Sequence, residues 1–99
     1  MAVRAGRCWS SAAVRGCRAG QKVRVAGLVA AHQAPPTAHG VHFVTLDDEA
    51  GLVDVIVHPQ VYAQYPHVLR SAPALVVEGV VQQHDGVVNV LARRVARLG

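Results

Sequence analysis

Two long β-rich runs in this chain each carry a glycine near the middle. KVRVAGLVAAHQ, residues 22–33, contains Gly27, and ALVVEGVVQQHD, residues 74–85, contains Gly79. A glycine inside a strand pattern marks a bulge or a sharp bend, where the missing Cβ lets one backbone approach another. Long strands that bend in this way curl and close on themselves. Three more β-rich runs surround them. VHFVTLDD (41–48) and LVDVIV (52–57) flank the turn Glu49-Ala50-Gly51 and read as a hairpin. GVVNVLARRVARL (86–98) follows Asp85-Gly86, a strong hairpin-turn signal, and reads as a fifth strand and a tail.

The remaining segments break the strand period. APPTAHG (34–40) holds two prolines that cannot donate ladder hydrogen bonds, so it is a loop. In PQVYAQYPHVLRSA (59–72), Val61, Tyr62, Tyr65, Val68 and Leu69 recur at helical spacing. Pro59 suits a helix start, and Pro66 falls late enough to split the segment, predicting a short helix and an irregular turn. The order is three strands, a helix, then two strands. That is the plan of an all-β fold, the five-stranded OB-fold Greek-key barrel with a short helix between strands 3 and 4. An antiparallel sandwich needs seven strands, which do not fit in this length.

At 99 residues, 52% hydrophobic and 16% charged, the chain has material for one small core. No apolar run reaches the ~18 residues of a membrane helix. The basic N-terminus lacks the apolar centre of a secretory signal, which predicts a cytoplasmic protein without membrane contact. Arg4, Arg7, Arg15 and Arg18 account for the whole formal charge of +4, and residues 21–99 sum to zero. Residues 1–20 mix Gly, Ser, Ala and Arg without a period and read as a flexible basic lead-in to a domain over 21–99. Such an Arg-rich segment is either a solvated tail or a phosphate-binding arm. Cys8 and Cys17 match no zinc spacing, and His39 and His42 lack an accompanying Cys or carboxylate at ligand spacing, so neither a metal nor a cofactor is expected.

Within the 41–57 hairpin, Val44, Leu46, Val53, Val55 and Val57 share one parity. Phe43, Thr45, Asp54, Ile56 and His58 share the other, which puts Phe and Ile on the face that meets water. A lone Phe in a β-run is most often core. Here Val44 and Leu46 already supply the core face, and that directs Phe43 outward.

The stretch from Val23 to Tyr62 resembles the C-terminal OB domain of bacterial DNA polymerase III alpha-type enzymes, above all the error-prone branch used in damage-induced DNA synthesis. The resemblance is carried by VAGLV, by Pro36-Thr37-Ala38-His39-Gly40, by FVTLDDE and by VDVIVHP, and it runs from about Gln21 to Gly99. The pattern is also similar to nucleic-acid-binding OB domains at large, including the anticodon-binding domains of some class II aminoacyl-tRNA synthetases. Where that family commonly has Arg, Lys, Asn and Trp, this chain has His32, His39, Asp54 and His58, a loss of two fixed positive charges and one stacking surface. Polymerase palm, fingers and metal-binding aspartates are outside this sequence, so the resemblance implies a binding module and not an enzyme.

The resemblance implies single-stranded DNA as partner, with RNA as an open alternative. Phe43 is the expected stacking platform, Ile56 either a second apolar surface or a core or helix contact, and Thr45 and Asp54 candidates for base edges. His58 either joins them or caps the strand end before Pro59. Lys22 and Arg24, His32 and His39, and Arg93 and Arg94 with Arg97 are the phosphate candidates. Asp47, Asp48 and Glu49 sit at a strand end, where solvation explains them. A second function class stays open: Phe43, Ile56, Val76 and Val80 on a neutral barrel equally suit docking on a polymerase or a replication or repair protein.

Overall fold

The computed structural model describes residues 8–98. Its elements are α1 (Ser11–Arg15), β1 (Lys22–Gln33), a 3-10 turn (Pro36–Ala38), β2 (His42–Asp48), β3 (Gly51–Val57), α2 (Pro59–Gln64), α3 (Pro66–Ser71), β4 (Ala74–His84) and β5 (Val87–Arg97). The strands close into a barrel in the order β1-β2-β3-β5-β4. Four of the five pairings are antiparallel, and β3 meets β5 in parallel through Asp54–Ile56 and Asn89–Leu91. This is the OB fold.

The two glycines explain how so few strands close. β1 pairs with β4 along Lys22–Leu28 and with β2 along Leu28–Gln33, so it must turn a corner between its two partners. At that corner a Cβ on Gly27 would lie 2.7 Å from the Asp47 carbonyl oxygen. On the neighbouring strand β4 a Cβ on Gly79 would overlap the Leu91 carbonyl. A β-bulge sits there: Glu78 pairs with Arg94 and Gly79 with Ala92, leaving Arg93 as the extra residue. The bulge breaks strand alternation, and Arg93 and Arg94 are therefore both exposed.

The inward rows are almost all valine, with Val25, Val44, Leu46, Val55, Val57, Leu75, Val77, Val81 and Val90 fully buried. Branched side chains of this kind pack well on a pleated surface. Between β3 and β4, buried Leu69 packs into this core with Val61, Tyr62, Tyr65 and Val68 around it. Pro66 does more than kink this segment. Tyr65, at φ −132°, leaves the helix, and Pro66 begins a second one, α3, where an irregular turn was expected.

The N-terminal segment departs from the expectation of a flexible lead-in. Residues 1–7, with Arg4 and Arg7, lie outside the described residues, but from Cys8 onward the chain is packed on the barrel. Ser11, Val14 and Cys17 are buried at three-residue spacing. Ser10 caps α1 by accepting from the Ala13 N–H. The Trp9 N–H donates to the Arg24 carbonyl at 2.6 Å, and the Gly20 N–H to that of Val81 at 2.7 Å. Asp48 is correspondingly no solvated turn residue. The Ser11 N–H donates to one of its carboxylate oxygens at 2.7 Å and the Ser11 hydroxyl to the other at 2.9 Å. The segment was illegible because a five-residue helix shows too little of a 3.6-residue period to stand out. Among the described residues no helix is long and apolar enough to cross a membrane.

Candidate functional site

Strand register assembles one outer row that crosses the whole barrel. Gln33 lies opposite Phe43, Phe43 opposite Ile56, Ile56 opposite Leu91, Leu91 opposite Val80, and Val80 opposite Lys22. Phe43 is 40% exposed, and Ile56, Leu91 and Val80 are half-buried. With neighbouring strands ~4.8 Å apart, the apolar part of this row is ~14 Å long. Leu91 is the member that strand parity within the hairpin could not reveal, because it joins through the parallel β3–β5 contact. An open hollow of about 600 Å³ lies along it, lined in part by Ile56, Val80, Leu91, Gln82, Asn89 and Arg93.

A second outer row, polar, runs beside the first. Ala31 pairs with Thr45, Thr45 with Asp54, Asp54 with Asn89, and Asn89 with Gln82. The Thr45 hydroxyl donates to Asp54 Oδ1 at 2.9 Å. Asn89 and Gln82 carried no sequence signal of their own and enter only through register.

The basic candidates separate. Lys22, Arg93 and Arg94 line one cavity of about 440 Å³ with Glu78 and Val80, at the Lys22 end of the apolar row. Arg24 is committed elsewhere: its Nη2 pairs with Glu78 at 3.0 Å, and its Nε is buried. His58 is exposed, precedes α2, and lines a hollow with Leu91 and Arg93. It makes no side-chain cap hydrogen bond to α2.

His39 is exposed at φ 54°, closing the 3-10 turn of the β1–β2 loop. His32 has the parity of Val44, not of Phe43. Its Nε2 lies 2.8 Å from His42 Nδ1, and the His42 ring stacks on Tyr62 of α2, 3.9 Å apart and tilted by 5°. Burial and the neighbouring His32 push the His42 pKa below its usual value. Val76, expected outside, is buried between Ala26 and Ala96 of the adjacent strands.

At the turn end of the β2–β3 hairpin, beside α1, the electrostatics serve the fold. Burial pushes the Asp48 carboxyl up. The hydrogen bonds from Ser11, Ala50 and Gly51 outweigh it and hold the group below the ordinary carboxylate range. Arg15 of α1 donates to the Leu52 carbonyl at 2.9 Å, satisfying a backbone acceptor on β3.

No family model matches the chain. Curated relatives do. An error-prone DNA polymerase of Bdellovibrio bacteriovorus is 42% identical over 78 residues, covering 79% of this chain. One of Anaeromyxobacter dehalogenans is 46% identical over 76 residues, covering 77%. The chain spans 7% of the length of each of these relatives. Among solved structures, asparaginyl-tRNA synthetase from Pyrococcus horikoshii, complexed with asparaginyl-adenylate, superposes with a TM-score of 0.78 at 20% identity. That likeness covers 93% of this chain and 22% of the synthetase, and it concerns the fold. Sequence and architecture together make this chain an OB-fold homologue of a short stretch of the error-prone DNA polymerases.

Proposed function

We propose that the chain is a cytoplasmic, non-catalytic module that binds single-stranded nucleic acid, DNA in the first place, across the outer face of β2, β3 and β5. The observation that carries this reading is the row Phe43–Ile56–Leu91–Val80, which is apolar, outward and leads to the cavity of Lys22, Arg93 and Arg94. A π-face or flat apolar surface gives unstacked bases a platform worth roughly 1–3 kcal/mol each, whatever the sequence. Lys22, Arg93 and Arg94 at one end, without an ion-pair partner among the described residues, supply phosphate contacts, and their small number means modest affinity and a shallow salt dependence. Kinship with error-prone polymerases supports a setting in replication or repair, where such a face would hold a template strand.

Fluorescence anisotropy with labelled oligo-dT and its RNA counterpart, at about 20 and about 150 mM salt, tests this. Phe43→Ala is expected to weaken binding by ~1 kcal/mol or more while the thermal midpoint stays put. Unchanged binding would refute the face assignment.

A second reading, docking on a polymerase or another replication protein, is favoured by a separate observation. Leu28, Leu52 and Val87 are each more than half exposed and lie outside the Phe43 row. Under that reading, Leu52→Ser would abolish capture of the partner and leave oligonucleotide binding intact.

A further inference from the structure

We propose that the Thr45–Asp54 pair makes this face a reader of guanine. The inference rests on the single-strand reading above and adds a base preference to it. Asp54 is exposed and sits two residues along β3 from Ile56, in the polar row beside the Phe43–Ile56 platform. The diagonal separation between such neighbours is ~7–8 Å, so a base lying on the platform presents an edge to the polar row.

The chemistry of that row is set by one hydrogen bond. The Thr45 hydroxyl donates to Asp54 Oδ1, which fixes the carboxylate, and Oδ2 has no hydrogen-bond partner among the described residues. Directly across on β5 stands Asn89. An ionised carboxylate accepts and never donates. Among Watson–Crick edges only guanine offers two adjacent donors, N1–H and N2–H, which a carboxylate takes as a bidentate pair. Adenine and cytosine offer one amino donor beside a ring acceptor. Thymine and uracil place two carbonyl oxygens beside their one N–H, and those oxygens face the carboxylate oxygens.

The carboxylate also repels phosphates, so it lowers affinity for every strand whose bases give nothing back. Guanine is the base that gives most back. The expected order is guanine first, adenine and cytosine between, thymine and uracil last.

The test uses the full chain and oligo-dT carrying a central guanine, inosine, adenine or cytosine. The guanine oligomer should bind about tenfold tighter than plain oligo-dT, within the range of a good bidentate base contact. Inosine, which keeps N1–H and lacks the N2 amino group, should lose most of that gain. Asp54→Asn places an amide where guanine needs two acceptors. It should bring the guanine-to-thymine ratio to near one. A guanine preference that survives Asp54→Asn overturns the inference. So does equal affinity for all oligomers in a chain whose binding still depends on Phe43, and in that case the binding face stands without its base preference. Loss of any Phe43-dependent binding at low salt overturns both.

Discussion

The face around Phe43 and the clasp around Asp48 lie on the same β2–β3 hairpin and solve opposite problems. At the clasp, a buried serine and a half-buried carboxylate satisfy each other: Ser11 donates twice to Asp48, and Val14 and Cys17 on the same segment are buried. At the face, apolar groups keep part of their surface in water: Phe43, exposed, and Ile56 and Leu91, half-buried, line up across three strands. Polar groups turned in and paired stabilise a fold. Apolar groups turned out do little for it and are available to a partner. The two regions should therefore respond to mutation in different currencies.

The largest expected effect is at the clasp. Asp48→Ala leaves the Ser11 N–H and hydroxyl without their acceptors, which should cost about 2 kcal/mol of stability, read in urea unfolding. Oligonucleotide affinity should stay within a factor of about two, because the bound face is elsewhere. Phe43→Ala should do the reverse: ~1 kcal/mol or more of binding is lost and the urea midpoint barely moves. If Phe43→Ala instead destabilised the barrel as strongly as Asp48→Ala, the contrast would collapse.

Acid sharpens the same comparison. The Asp48 pKa is depressed on folding, so its contribution is present above the unfolded value of ~3.9 and disappears as pH falls through the lower folded value. The stability difference between the unchanged chain and Asp48→Asn should accordingly shrink as pH drops below ~4, which thermal melts across a pH series will show. His42 acts in the same direction at higher pH. Its folded pKa is also lowered, so stability is complete above ~6.5 and declines as pH falls through the folded value. His42→Phe, which keeps a ring beside Tyr62, should flatten that upper part of the profile.

The smallest effect is expected at the basic end of the row. Arg93→Ala should weaken binding to all sequences alike and reduce the salt slope by ~0.7, the increment for one phosphate on a single strand. Replacing Arg24 and Glu78 together by Ala should leave the slope unchanged, since the pair carries no net charge. Equal slopes for the two variants would show that the bulge does not supply a phosphate contact.

Much of the barrel was legible from local pattern. Alternation placed Val44, Leu46, Val53, Val55 and Val57 inside, and Gly27 and Gly79 marked the two places where backbones crowd. Strand parity is a covalent property of extended chain, so the outward direction of Phe43 was legible without knowledge of neighbours, while for Ile56 parity left a core or helix contact equally open. What local pattern could not carry was anything set by register between distant strands. Leu91 and Asn89 joined the face through a parallel contact with β3, and Arg93 stood exposed because of a bulge opposite Gly79. Arg24 was withdrawn by Glu78, fifty-four residues away. The burial of Ser11 depended on Asp48, thirty-seven residues away. Period and turn chemistry act over a few residues and are written in the chain. Which charges remain free, and which rows become continuous, depends on contacts that exist only once the barrel has closed.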